Sequence, residues 1–357
     1  MLTHSIGSLM AAAIDRRIFP GAVVLVAHGD ELLHHAAYGT TMYEDAGSRP
    51  VAPDTRYDIA SLTKVFTATA ALQLLDEGLL ELDAPARRYL PALRAEDVLV
   101  RHLLTHTSGL ELRLSALRHN GRAALLQAVY DVLPTTPPGQ RAAYTNVNSL
   151  LLGEIVARLR GLPLDEAIKR FVLAPLGMRA TGFLPAPDLR PLIAPSEYDD
   201  AWRGGLVHGS VHDESAHALG GVCGHAGMFS TAADLWRFCA AWLRGGSPLV
   251  QPATAARAIM NHTPALELAC GLGWMLDRPA FMGALAPECY GHTGFTGPVM
   301  LLAPRHNRCL VLLSNRTYPR RAAPTHHAVT AQLAELALRD EGRRTKDEGR
   351  RTKDHRS

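Results

Sequence analysis

The stretch Tyr57-Asp-Ile-Ala-Ser-Leu-Thr-Lys64 decides how this chain reads. Phe66, Ala70, Leu72, Leu74 and Leu75 follow it in a helix-like apolar pattern, which predicts a helix over 61–77. Ser61 and Lys64 then lie three residues apart, on neighbouring points of one helical face. A serine hydroxyl is a weak nucleophile at neutral pH and needs a group to take its proton. A lysine buried beside it can be that group, because desolvation lowers the pKa of an amine. A helix N-terminus also offers backbone N–H groups where an oxyanion would form. Serine at a helix start can equally be an N-cap, and Ser-x-x-Lys recurs by chance. Its company has to decide.

Working outward, both ends of the chain read as sheet and the middle as helix. Leu2, Ile6, Leu9, Met10, Ala13 and Ile14 recur with helical spacing, ending at Arg16 and Arg17. Gly21–His28 and Glu31–Tyr38 flank a Gly29-Asp30 turn and predict a hairpin. Val299–Ala303 and Arg308–Ser314 predict a second pair, followed by a helical segment over 326–339. Between them, 121–133, 146–160, 164–173 and 231–244 carry helical spacing, the last with Thr231-Ala-Ala-Asp234 fitting a capping box. The expected class is α+β: an antiparallel sheet from both chain ends, flanked by terminal helices, with a large inserted helical region. The expected lobes are a sheet lobe from 1–57 and 265–339 and a helical lobe over 58–264, with a binding cleft between them.

Composition excludes several other functions. The 357 residues are 47% hydrophobic and 20% charged, the balance of a globular protein. The net charge of +3 includes +2 from Asp340–Ser357, where Asp-Glu-Gly-Arg-Arg-Thr-Lys occurs twice and no apolar residue is available to bury; that tail, 340–357, is expected to be disordered. The body carries no basic field for nucleic acid. Five cysteines without a C-x-x-C pair point to buried thiols, not a disulfide framework or zinc ribbon. No run of eighteen apolar residues predicts a membrane span, and the N-terminus lacks the pattern of a secretory signal, so the chain as written reads as cytoplasmic, with export the alternative if the start site is misassigned.

Two further segments carry chemistry. In Tyr144-Thr-Asn146, the phenol could be held as phenolate by a cationic lysine or could relay a proton to a leaving group. In Gly291-His-Thr-Gly-Phe-Thr-Gly297, the glycines let backbone and ligand approach closely.

With Leu103-Leu-Thr-His-Thr-Ser-Gly109, these segments fall in an order that resembles the serine β-lactamase-related proteins: class C β-lactamases, DD-carboxypeptidases, D-aminopeptidases and esterase relatives. The resemblance covers about Phe19 to Arg316 and implies a β-lactamase/transpeptidase-like fold without metal or organic cofactor. It implies Ser61 as nucleophile, Lys64 and Tyr144 as acid/base partners, and Asn146 as an amide offered to substrate. It places His292, Thr293, Gly294 and Phe295 at the substrate, with the N–H of Phe295 joining that of Ser61 in an oxyanion hole. Many relatives carry lysine where this chain has His292, and an ordinary histidine is mostly neutral at pH 7. That puts strong binding of a β-lactam carboxylate in doubt and resembles the peptidases more closely.

The expected activity is acyl-enzyme hydrolysis of D-amino-acid-containing, cell-wall-related peptides. Small esters are the alternative substrate, and a non-catalytic muropeptide-binding or scaffold protein is the alternative class. The stretch Val207–His225 holds four histidines and Cys223, residue types that bind zinc, but in no recognised ligand spacing. A substrate-lining loop is expected there, with no metal. His106 is expected to hold a turn; Trp236, Trp242 and Trp274 are expected in the core, and Trp202 in a loop.

Overall fold

The computed structural model of the protein describes residues 2–44, 46–321 and 326–339. The repeated tail lies outside the described residues. In chain order the strands are β1 (Gly21–His28), β2 (Glu31–Gly39), β3 (Tyr57–Asp58), β4 (Gly182–Phe183), β5 (Glu197–Asp199), β6 (Gly205–Val207), β7 (Met228–Ser230), β8 (Met275–Leu276), β9 (Tyr290–Thr293), β10 (Val299–Ala303) and β11 (Arg308–Ser314). The α-helices are α1 (Leu2–Asp15), α2 (Thr63–Asp76), α3 (Val100–Leu104), α4 (Gly121–Asp131), α5 (Asn146–Arg160), α6 (Leu164–Ile168), α7 (Glu214–Ala218), α8 (Ala232–Leu243), α9 (Pro252–Ala258), α10 (Pro279–Met282) and α11 (His326–Ala337).

Both chain ends meet in one antiparallel sheet with the order β2-β1-β11-β10-β9-β8. Its central strands are apolar on both faces, as strands covered on both sides must be. Alternation divides them between two cores. Val23, Leu25, Ala27, Met300, Leu302, Cys309, Val311 and Leu313 face the helical region. Ala22, Val24, Val26, Val299, Leu301, Leu310 and Leu312 face a second core that includes Ile6, Met10 and Leu333 of the terminal helices.

Helix α2 runs through the larger core, and every residue from Thr63 to Leu74 is buried. A helix apolar on all sides belongs inside a protein; this one carries Lys64 into the interior with it. Two local expectations need correction. Ser61 lies not in the α-helix but in a 3-10 turn, Ala60–Leu62, that leads into it. At α8 the Thr231 side chain accepts from the Asp234 N–H, but Asp234 does not complete a capping box. Its carboxylate bonds instead to Ala180 N, Thr181 and Arg237.

Short strands position the nucleophile. β3 pairs with β7, and β7 with β4, in a separate small sheet. This pairing fixes Tyr57 and Asp58 just ahead of Ser61. All five cysteines are free and buried. Among the described residues no helix is long and apolar enough to cross a membrane.

Candidate active site

Three elements converge on Ser61. The first is its own turn. Ala60 adopts φ 45°, a left-handed conformation that is uncommon for a residue with a Cβ. Asp58 holds it there, accepting from Ala60 N at 2.7 Å and from His212 N at 2.6 Å. Such local strain is found where surrounding structure enforces it, often at active sites. Ser61 does not cap the helix, since α2 has no side-chain cap bond. Its Oγ instead accepts from Lys64 Nζ at 2.9 Å.

The second element is the start of α5. Thr145 caps that helix through Val147 N, which turns Asn146 inward, where its Oδ1 accepts from Lys64 Nζ at 2.9 Å. Tyr144 lies across the same amine, with Nζ 4.9 Å from the ring centroid, and its hydroxyl interacts with Ser61. His106 backs Tyr144 at 4.7 Å between ring centroids, accepts from Thr145 N through Nδ1, and through its carbonyl accepts from Ala143 N. It holds a turn, as its sequence context suggests.

The third element is the turn after β9. A Cβ on Gly294 would lie 2.7 Å from Ile59 O, so glycine lets β9 close onto the nucleophile turn. The Thr296 hydroxyl donates to Asp58 O and ties the two together. Phe295 stands at the lip, 50% exposed, flanked by the His212 ring and the guanidinium groups of Arg316 and Arg321. A groove of about 650 Å³ opens here, lined by Ser61, Tyr144, Asn146, Asp213, Phe295 and Arg113 among others.

Burial sets the protonation states. Lys64 is 2% exposed, and desolvation lowers its amine to about 7 although Asp213 pulls the other way. Tyr144 leaves 42% of its surface open to the groove; even so, protein atoms crowd its hydroxyl and raise the phenol above its ordinary value, partly offset by the bond to Ser61. The phenolate form is therefore disfavoured. His292 is 2% exposed, lies behind Tyr144 at 5.9 Å between ring centroids, and donates from Nδ1 to Thr293 O. Desolvation lowers it to about 3, so it is neutral. His292 is thus buried against the Tyr144 ring. Thr293 is half-buried beside it, paired with Val299.

The histidine-rich stretch goes to separate partners. His208 bonds Ile193 O, His212 lies 3.1 Å from Glu197, His217 packs on Trp202, and His225 binds Asp213. Sequence reasoning treats this stretch as lining and does not single out two of its groups. The carbonyl of His225 accepts from Lys64 Nζ at 3.1 Å, and the Asp213 carboxylate lies 3.4 Å from Asn146 Nδ2. Gly224 makes the first contact possible: a Cβ there would meet Ser149 O at 2.0 Å. The repeated glycines and the Asp-Glu-Ser-Ala helix start are the signals that could have found them.

Comparison with known proteins agrees with this architecture. Residues 6–335 match the family described as Beta-lactamase, and the chain belongs to that family. A protein of Escherichia coli named "Putative D-alanyl-D-alanine carboxypeptidase" is 31% identical over 349 residues, covering 86% of this chain and 80% of the relative. A like-named protein of Salmonella enteritidis is 29% identical, covering 86% and 81%. Among solved structures, one titled a class C beta-lactamase superposes with TM-score 0.76 at 22% identity, covering 95% of this chain and 97% of the other. An octameric penicillin-binding protein homologue from Pyrococcus abyssi gives TM-score 0.75 at 24% identity, covering 93% and 77%.

Proposed function

We propose that the protein is a serine hydrolase working through an acyl-enzyme on D-amino-acid-containing, cell-wall-related peptides. The observation that carries this reading is the set of partners around Lys64 Nζ. Two of its three neighbours, Asn146 Oδ1 and His225 O, are acceptors without a proton to give. A neutral amine has two N–H groups and one lone pair. In its ammonium form Lys64 also donates to Ser61 Oγ; once that proton is lost, with both remaining N–H groups committed to the two oxygens, the lone pair faces the Ser61 hydroxyl.

The reaction follows from that placement. Lys64 takes the Ser61 proton as Oγ bonds to the scissile carbonyl carbon. The resulting oxyanion is held by the N–H groups of Ser61 and Phe295, each such donor contributing about 3–4 kcal/mol in comparable sites. Tyr144 gives its proton to the leaving nitrogen as the C–N bond breaks, and Lys64 returns a proton to Tyr144. Water then repeats the sequence in reverse: it loses a proton to Lys64, attacks the ester and restores the Ser61 hydroxyl. No step calls for a metal or organic cofactor.

The peptide reading draws support from the carboxypeptidase name of the relatives. It is tested by kcat/KM on a D-Ala-D-Ala peptide against a p-nitrophenyl ester. The peptide should be cleaved; hydrolysis of the ester alone would overturn the peptide assignment. A pH profile tests the base. Only the neutral form of Lys64 accepts a proton, so kcat/KM should rise about tenfold per pH unit below about 7 and level above it. A flat profile from pH 5 to 9 would contradict that role.

A further inference from the structure

The base is aimed by an amide that could face either way. If Asn146 turned over, its NH2 would point at Lys64 and its carbonyl at Asp213. Lys64 would then lose an acceptor and could turn its lone pair onto that NH2, away from Ser61. We propose that Asp213 is a positioning residue whose carboxylate fixes the orientation of the Asn146 amide and so aims Lys64 at Ser61. This rests on the hydrolase reading given above.

The carboxylate is built to do this. Oδ1 is filled by three donors: Ser215 Oγ at 2.5 Å, Ala216 N at 2.8 Å and His225 Nε2 at 3.1 Å. Oδ2 is left toward Asn146 Nδ2 at 3.4 Å. A carboxylate without a proton can only accept, so it selects the NH2 end of the amide. The clamp is rigid. His225 is fully buried and also presents its carbonyl to Lys64. His212, next in the chain to Asp213, is tied through Asp58 to Ala60, next to Ser61. One loop therefore fixes the orienting carboxylate, one acceptor of the amine, and the turn that carries the nucleophile.

The groups around Lys64 make the electrostatics simple. His106 and His292 face it from the turn after α3 and from β9, and both are held neutral by burial. The Tyr144 phenol is raised and uncharged. Asp213 is different. Burial opposes its ionisation, but His225, Ser215 and Ala216 N outweigh that and keep it well below the usual carboxylate range. It is the charge that favours the protonated amine.

The test is Asp213→Asn, with the exchanged pair Asp213→Asn/Asn146→Asp as its control. Asparagine at position 213 keeps an oxygen for the three donors and turns an NH2 toward the Asn146 NH2, forcing that amide over. We expect kcat/KM to fall about 10²–10⁴-fold, the range for a misoriented base, with kcat taking most of the loss. The acid limb should move below about 7, because a negative charge has left the neighbourhood of Lys64. In the exchanged pair, the carboxylate now at position 146 accepts from both Lys64 and the new amide at position 213, so every donor direction is restored. Activity should recover at least about tenfold over the single variant, with the acid limb now above about 7 because a carboxylate adjoins the amine.

Asp213→Asn within twofold of wild type, or a folded exchanged pair no better than the single variant, would overturn the proposal. If Asp213→Asn fails to fold, the exchanged pair decides: activity with a raised acid limb supports the proposal, and folded but inactive protein overturns it. Fluorophosphonate labelling of wild type separates the two layers. Wild-type protein that does not label at Ser61 sinks the hydrolase reading itself, whereas labelled wild type with an indifferent Asp213→Asn sinks this inference alone.

Discussion

Ser61→Ala should lower kcat/KM by about 10⁴–10⁶-fold, the cost of removing a nucleophile that works as one unit with its base, while leaving the protein folded. The second half of that expectation follows from local structure. Ser61 does not cap α2, and its Oγ serves as the third partner of an amine already bonded to Asn146 and His225. Alanine fits the same 3-10 turn, and the contacts that hold it, Asp58 to Ala60 N and His212 N, do not involve the hydroxyl. Steady-state hydrolysis beside a thermal melt checks both halves. A variant keeping a tenth of its activity would mean that another group attacks the substrate.

Lys64→Met should separate function from stability. Activity should fall by about 10⁴-fold through loss of the base, yet the variant's stability relative to wild type should be most favourable at low pH, where an apolar side chain replaces a buried cation. The sign comes from linkage. The folded amine titrates near 7 and the unfolded one near its ordinary 10.5. Below about pH 7 both are charged, and the wild type carries the full cost of burying the charge. Between about 7 and 10.5 the unfolded chain holds the extra proton, so wild-type stability rises with pH and the advantage of methionine shrinks. Denaturant unfolding at pH 6 and pH 9 measures it; an advantage that grew with pH would show that the amine is not desolvated as the structure places it.

What the sequence disclosed and what it hid divide along physical lines. The hairpin at 21–39 and the pair at 299–314 were legible because strands covered on both faces become continuous apolar runs between turns. Ser61, Lys64 and Tyr144 were singled out by the order of their motifs, which resembles the serine β-lactamase-related proteins, and the structure brings the three side chains together. The two-residue strands β3, β4 and β8 were not legible, since such strands exist only through their partners. The segment 164–173 has helical spacing, but π-type turns replace the α-helix after Ile168, and spacing does not register hydrogen-bond pattern.

Asp213 was hidden for the same reason at longer range. Its meaning depends on an amide 67 positions away in the chain, and a carboxylate ahead of Glu-Ser-Ala reads locally as nothing more than the N-cap it also is. His292 shows the converse. The residue type suggested an uncharged group, and burial acts in the same direction by lowering its pKa, but its packing against the Tyr144 ring was not legible.

Intact-mass measurement after exposing the native protein to a fluorophosphonate at pH 8 tests the central claim most directly. The account predicts one covalent adduct, mapped to Ser61, in protein that remains folded. Folded protein that stays unmodified, or an adduct mapped to any other residue, would contradict it.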